Sequence, residues 1–413
     1  MNITPRSAAP LVALLLGLVA SLTASAQQHS AERVSPQRQA EAYRVLNDAI
    51  AFLRAQQDAQ SGGWAVRPDG VTFPAITALV VDGMLQHPAI DATDPAVARG
   101  IDFLLSHRQP DGGIYDRVLP SYNTAIALSA LARAGVKPAD AAVPDAQRFL
   151  IGLQWSEESL SEEISERLGV GRVNPEHPFY GGVGYGSHGR PDLSNTSFML
   201  QALHDSGYDP DSPPFQRALV FLQRVQMDER VNDMPYAAGA TDGGFIYATG
   251  PEADQLGVGQ SQAGTIEETL DDGTVVSRLR SYGSMTYTGF KSYIYADLPR
   301  DDPRVTAAHA WIARYYTLDE NPGLGEQGYY YYLVAFARAL DAWGDPTIET
   351  TPNPESARAA ATHRWADDLV SRLAELQQDD GSFRVLNDRW LENDPVLITA
   401  YGVIALQAAL DND

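Results

Sequence analysis

Internal repetition constrains this chain more than any single motif. Six segments read alike: an amphipathic first helix, a Gln-rich end, a Gly-rich turn, then a second helix rich in Ala and Leu. The first helices end in FLRAQQ (from Phe52), FLLSHRQ (Phe103), FLIGLQ (Phe149), FLQRVQ (Phe221), WIARYY (Trp311) and LAELQQ (Leu373). The turns are SGGW, DGGIY, YGGVGYG, DGGF, GLGEQG and DDGSF. Glycine accepts the left-handed conformation that ends a helix, so each Gly pair reads as a stop signal. An aromatic residue such as Trp64, Phe245 or Phe383 then folds back onto the hairpin.

Apolar residues in the first helices recur at helical spacing and leave a polar face. The second helices are apolar nearly all round, which places them in the interior. A single hairpin cannot bury its own apolar face, whereas six of them closed into a ring leave no exposed end. The expected fold is all-α: an α/α toroid, or (α/α)6 barrel, of six helical hairpins. It forms one domain over residues 27–413, with insertions at about 156–180 and 246–280. The second insertion carries a hairpin signal, TLDDGTVV. Both insertions are expected to project from one end of the barrel. The second helices open with threonines in one register, Thr77, Thr124, Thr196, Thr288 and Thr399, which fits helix capping and packing.

Composition narrows the setting. Residues 1–26 read as a secretory signal: Arg6, an apolar run from Leu11 to Ala20, and Ala24-Ser25-Ala26 as a small-residue cleavage site. The expected location is therefore periplasmic or extracellular. No later stretch is long and apolar enough for an integral membrane span. The 413 residues include no cysteine, which excludes disulfides and thiolate metal sites. A formal net charge of −23 argues against nucleic acid and anionic membranes, whose affinity comes from Lys and Arg.

The Gln-rich helix ends followed by Asp-Gly-Gly-aromatic, as in QPDGGIY and QQDDGSF, resemble the repeats of squalene cyclases and protein prenyltransferases. The blocks GGVGYGSHGRPDLSNT, SYGSMTYTGFKS, DENPGLGEQGYYYY and DRWLENDPVLITAYGVIAL resemble secreted bacterial proteins with prenyltransferase/squalene-oxidase repeats. The resemblance covers nearly all of the chain after residue 26. It implies a terpenoid cyclase-like toroid with a central cavity for an isoprenoid or other apolar ligand, its mouth at the N-terminal ends of the inner helices. The departures are specific. The Asp-x-Asp-Asp motif that protonates an alkene is missing, as are the Asp-Asp-x-x-Asp diphosphate motif and the zinc ligands of protein prenyltransferases. No cofactor and no metal are expected. Gly-Leu-Gly-Glu-Gln (323–327) also resembles the Gly-Cys-Gly-Glu-Gln thioester motif of complement proteins, but Leu324 stands where the chemistry needs a cysteine.

If the mouth is lined where turns meet inner helices, the candidates form a ring. They are Asn123; Asp192 and Asn195; Tyr282 and Tyr287; Glu326, Gln327, Tyr329 and Tyr330; and Arg389, Trp390, Glu392 and Asp394. His188 and Arg190 lie in the third Gly-rich turn. An amide, carboxylate and phenol ring about an apolar shaft suits a ligand pocket. Asp192, Glu326, Asp394 and His188 are the catalytic candidates, since an enzyme needs an acid and a base. Asn123, Asn195, Tyr282, Tyr287, Tyr329, Tyr330, Arg389 and Trp390 are the candidates for contacting a small-molecule or polymeric ligand. Asp192 and Asp394 also fit as helix caps, and Glu326 as a carboxylate at a positive helix end. Within the fifth repeat, Leu340 aligns with Leu131, Leu203 and Leu406. That register makes Gly323 to Gly328 the fifth turn and points Glu326, with Tyr329 or Tyr330, at the mouth. Three functions stay open: an isoprenoid-directed enzyme, a carbohydrate-active lyase or hydrolase on an α/α barrel, and a non-catalytic binding protein.

Overall fold

The computed structural model describes residues 33–66, 72–186, 188–250, 258–269, 273–353 and 355–411. The signal-peptide expectation at residues 1–26 lies outside them. Among the described residues, six outer helices alternate with six inner ones. The outer helices are α1 (Pro36–Ala55), α3 (Pro95–Ser106), α6 (Val143–Leu153), α9 (Pro213–Val225), α11 (Pro303–Tyr315) and α13 (Trp365–Leu376). The inner helices are α2 (Pro74–Leu85), α4 (Pro120–Ala134), α8 (Leu193–Asp205), α10 (Gly283–Tyr295), α12 (Tyr329–Trp343) and α14 (Pro395–Ala409). Each inner helix packs on the next, and α14 packs back on α2, so the inner ring is closed. The chain is an α/α toroid. Proline stands at or beside the first position of α1, α2, α3, α4, α6, α9, α11 and α14, where its missing N–H costs nothing.

The repeat chemistry is more specific than helix stopping. The first turn glycine is left-handed in all six repeats: Gly62, Gly112, Gly181, Gly243, Gly323 and Gly381, with φ between 78° and 93°. A Cβ on Gly181 would lie 1.9 Å from the Arg217 carbonyl oxygen of the next outer helix, so no other residue fits there. Two residues further on, a backbone N–H donates to a threonine hydroxyl of the inner helix. The pairs are Trp64 to Thr77 (3.0 Å), Ile114 to Thr124 (2.9 Å), Val183 to Thr196 (3.0 Å), Phe245 to Thr286 (3.1 Å) and Phe383 to Thr399 (3.3 Å). These threonines are hooks for the turn rather than caps of their own helices. The fourth hook is Thr286, not Thr288, which the sequence register had offered. By the same spacing the fifth repeat places Leu333 at this position.

A glutamine ends most outer helices and clips one repeat to the next. Gln154 Nε2 donates to the carbonyls of Gly181 and Pro214, both at 2.9 Å. Gln226 Nε2 does the same to Gly243 (3.0 Å) and Arg304 (2.9 Å), and its Oε1 accepts the Tyr293 hydroxyl at 2.9 Å. Gln57 bonds Gly62 and Ala96 alike, both at 2.8 Å. Each clip ties a turn to the first turn of the following outer helix.

The short α5 (Lys137–Asp140) joins α4 to α6, and the segment after α6 forms α7 (Glu162–Leu168) and a satellite core of Trp155, Leu160, Val173, Phe179 and Tyr180. Between α9 and α10, strands Gln226–Asp228 and Thr241–Phe245 pair antiparallel, as do Thr265–Thr269 and Val275–Leu279.

Candidate functional site

The hook threonines set a register for the whole inner ring. Two residues before the hook stand Tyr122, Ser194, Ser284, Tyr331 and Leu397, and all five line one central cavity of about 360 Å³ at the N-terminal ends of the inner helices. Two residues after the hook, Phe198 and Tyr401 line it too. Loops complete the wall with Leu119, Tyr185, Tyr247, Gln262, Trp390, Leu391 and Glu392. The lining is largely apolar and aromatic, with few polar groups, as small-molecule pockets are. Tyr122 and Phe198 meet edge-on at 5.2 Å between ring centroids, and Tyr331 lies 6.1 Å from Phe198 and 6.2 Å from Tyr401. Burial pushes the hydroxyls of Tyr122, Tyr282 and Tyr401 well above the ordinary phenol range and Tyr331 to about 12, so all are neutral.

The rim is apolar and backbone-strained. Trp390 and Leu391 are 47% and 50% exposed, and Leu119 and Tyr185 stand beside them at the mouth. Leu119, Trp390 and Leu391 have φ of 51°, 56° and 67°, a left-handed conformation that bulky residues rarely adopt. Such strain, of order 1–3 kcal/mol per residue, concentrates at functional sites. Arg389 holds the rim: it stacks on Trp390 at 4.2 Å, bonds Gln262 at 2.9 Å and also bonds Gln327.

Glu392 is the carboxyl that reaches the cavity. It is 2% exposed, and its Oε1 accepts the Tyr331 backbone N–H at 2.8 Å. Burial raises its pKa to about 7 against the pull of the N–H groups of Tyr331, Tyr330 and Tyr329. Asp192, also buried, caps α8 by accepting Asn195 N at 2.9 Å and Asn195 Nδ2 at 2.8 Å. Burial raises it to about 6, with Asn195, Arg190 and Tyr247 pulling the other way. Asp192 sits behind the wall, beside the cavity residue Tyr247.

The candidates read from sequence divide as follows. Tyr282 and Trp390 line the cavity, with Arg389 supporting the rim and Asp192 with Asn195 one layer behind. Asn123 is spent between helices, its Oδ1 accepting Ala75 N at 2.9 Å. Asp394 caps α14 through Leu397 N at 2.9 Å. The fifth turn ends at Gly328 as expected, but the placement of Glu326 needs correction: it is exposed and outside the cavity lining, because α12 starts three residues later, at Tyr329, and carries Tyr331 inward instead. Tyr329 and Tyr330 are buried outside the cavity lining, their hydroxyls donating to the carbonyls of Leu318 and Arg384. Tyr287 packs between Tyr332 and Phe336, at 5.6 and 5.1 Å. His188 lies in the satellite region, edge-on to Trp155 at 6.2 Å, and burial lowers its pKa. Among the described residues no group of three or more His, Asp and Glu side chains is placed to hold a metal ion, and no helix is long and apolar enough to cross a membrane.

Neither a family model nor a curated protein matches the sequence. Solved structures match the fold. An unsaturated glucuronyl hydrolase specific for heparin is 12% identical, with 90% of this chain and 97% of that one covered and a TM-score of 0.54. An α-1,6-mannanase of Salegentibacter, bound to α-1,6-mannotriose, is 9% identical over 90% and 99% of the two chains, with a TM-score of 0.53. A type II terpene cyclase from Scytonema, bound to geranylgeranyl dihydroxybenzoate, is 15% identical over 92% and 100%, with a TM-score of 0.50. At these identities the likeness is one of fold, and a single toroid carries both terpene cyclisation and glycan cleavage.

Proposed function

We propose that this chain is an acid catalyst acting on an isoprenoid or comparably apolar olefin, and that Glu392 is the proton donor. One observation carries the reading: a buried carboxyl, half neutral near pH 7, lines a cavity whose other walls are mostly aromatic and aliphatic. In the proposed step the Glu392 proton adds to one carbon of a double bond, and the π electrons form the new C–H bond. The neighbouring carbon becomes a cation, which the faces of Tyr282, Tyr331, Tyr401 and Trp390 stabilise. Attack by a second double bond closes a ring. Loss of one proton toward the ionised Asp192, through Tyr247, leaves an isomer of the substrate, and both carboxyls exchange protons with water between turnovers. The supply of the acid from the loop before α14 accounts for the missing Asp-x-Asp-Asp motif. The signal-like residues 1–26 support a periplasmic or extracellular setting for this chemistry.

The test is incubation with farnesol or geranylgeraniol and analysis for products of unchanged mass. Glu392→Gln is expected to bind ligand and lose turnover. Full turnover by that variant overturns the assignment of the acid. Binding of oligosaccharides with no binding of either isoprenoid overturns the substrate class in favour of the glycan-active reading.

A further inference from the structure

The inner-ring register also shows where the cavity stops. Among the described residues the deepest of the lining are Phe198 and Tyr401, two positions beyond the hook threonine, and none of the lining lies further down. They come from α8 and α14, the third and sixth inner helices, which face each other across the barrel. At the same level the other four inner helices supply Leu79, Ile126, Thr288 and Ala335, all buried and all smaller. Phe198 and Tyr401 are thus the two large side chains at this level, each packed against Tyr331, at 6.1 and 6.2 Å.

Three residues further along, five of the six inner helices carry polar or charged side chains, and only α14 supplies an apolar one, Ile404. Asp82, Ser129, Gln201, Lys291 and Arg338 occupy it, each 3–6% exposed. Arg338 bonds Asp82 at 2.8 Å, Arg133 reaches the other Asp82 oxygen at 2.9 Å, and Lys291 bonds Gln201. Gln86 closes the group by donating to Asp82 at 3.0 Å. Charges buried this tightly are costly to separate, so this level acts as a rigid plug.

We propose that Phe198 and Tyr401 set the length of ligand that the cavity takes, and that the Asp82–Arg338 layer below them limits any extension to about one isoprene unit. The inference rests on the isoprenoid reading of the cavity. The geometry is simple: three helical residues separate the two levels, a drop of roughly 4.5 Å. Truncating the two aromatic rings opens that depth and no more, because the next level is a charged layer that an apolar chain cannot enter.

The experiment measures binding of geraniol, farnesol, geranylgeraniol and geranylfarnesol, by tyrosine and tryptophan fluorescence, to the full chain and to Phe198→Ala/Tyr401→Ala. The longest ligand bound by the variant is expected to exceed that of the parent by one unit. An unchanged limit in a variant with the parent's circular-dichroism spectrum overturns the role of the two rings. A gain of two units or more overturns the role of the ionic layer. If the parent binds none of the four, the isoprenoid reading fails and this inference with it. Should the double variant not fold, Phe198→Leu alone is expected to shift the preference toward the longer of two adjacent ligands by about tenfold, as added apolar burial requires. An unchanged ratio there overturns the proposal.

Discussion

Glu392 Oε1 accepts the backbone N–H of Tyr331 at 2.8 Å. The bond joins a loop carboxyl to the helix that carries a central cavity tyrosine. Helix α12 needs such a partner, because its N-cap is Gly328, which has φ of 63° and no side chain to offer. Glycine is required there in turn, since a Cβ would lie 2.9 Å from the Trp390 ring. Trp390 at the rim, Glu392 in the wall and Tyr331 in the shaft are therefore fixed together by one short turn against one helix end.

The raised carboxyls give stability a definite pH slope. Glu392 titrates at about 7 in the fold, above the ordinary glutamate value of 4.5, and Asp192 at about 6, above 3.8. Between the unfolded and folded values the native state holds protons that the unfolded chain has released, so unfolding free energy falls as pH rises. Stability from these groups is full at the low end of that window and lost by about pH 7. Glu392→Gln is expected to flatten the slope of melting temperature between pH 5 and pH 7, and its deficit relative to the parent should shrink as pH rises. Parallel curves for the two proteins would contradict the assignment. Under the proposed chemistry, turnover should also fall as pH passes about 7, when the acid loses its proton.

The Gln clips should be worth more than surface contacts. Replacing Gln226 by Leu leaves the carbonyls of Gly243 and Arg304 and the hydroxyl of Tyr293 without their buried partner. The expected loss is about 2–5 kcal/mol, from polar groups stranded in the interior. Urea unfolding of Gln226→Leu against the parent measures it. A loss within roughly 0.5 kcal/mol would mean that water replaces the clip.

Thr286 and Thr288 make a paired test of the hook. Thr286→Val keeps the shape but removes the acceptor for Phe245 N–H, which is wholly buried, at an expected cost of about 1–3 kcal/mol. Thr288 instead lies beside the hydroxyl of the cavity residue Tyr331, so Thr288→Val is expected to act on ligand binding more than on stability. Denaturation midpoints and ligand titration of both variants separate the two roles.

These pairs show why the sequence revealed the ring but not the site. Six turns with a left-handed glycine and twelve helices of alternating polarity are local patterns, and each survives in the chain as composition. The cavity residues sit where helix phase decides, and phase is lost across turns of unequal length. Thr288 and Thr286 both fit the pattern by eye; only the hydrogen bond from Phe245 separates them. In the fifth repeat Leu333 replaces the threonine, so although Leu340 sets the register, no hook marks Tyr331 rather than its neighbours as the tyrosine that faces the shaft. Two positions before a true hook stand Tyr122, Ser194, Ser284 and Leu397, and the same offset from Leu333 gives Tyr331. Glu392 was visible among the ring candidates, but nothing in DRWLENDP distinguishes it from Asp394, which caps its own helix.

The last prediction sets Glu326 against Glu392. Both are glutamates near the mouth in sequence, one within the GLGEQ turn and one in the loop before α14. Glu326 is exposed and lies outside the cavity lining. Glu326→Gln is expected to change stability by no more than about 0.5 kcal/mol, as surface substitutions do, and to leave ligand binding and turnover as they were. Glu392→Ala removes both the carboxyl and the partner of Tyr331 N–H, so it should cost about 0.5–2 kcal/mol as a lost cap and abolish turnover. Glu392→Gln keeps an acceptor oxygen for that N–H, so it should recover most of the stability and none of the turnover. Thermal melts and product analysis of the three variants, run side by side, check the ordering. Recovery of turnover by Gln would assign Glu392 to capping alone and return the search for the acid to Asp192.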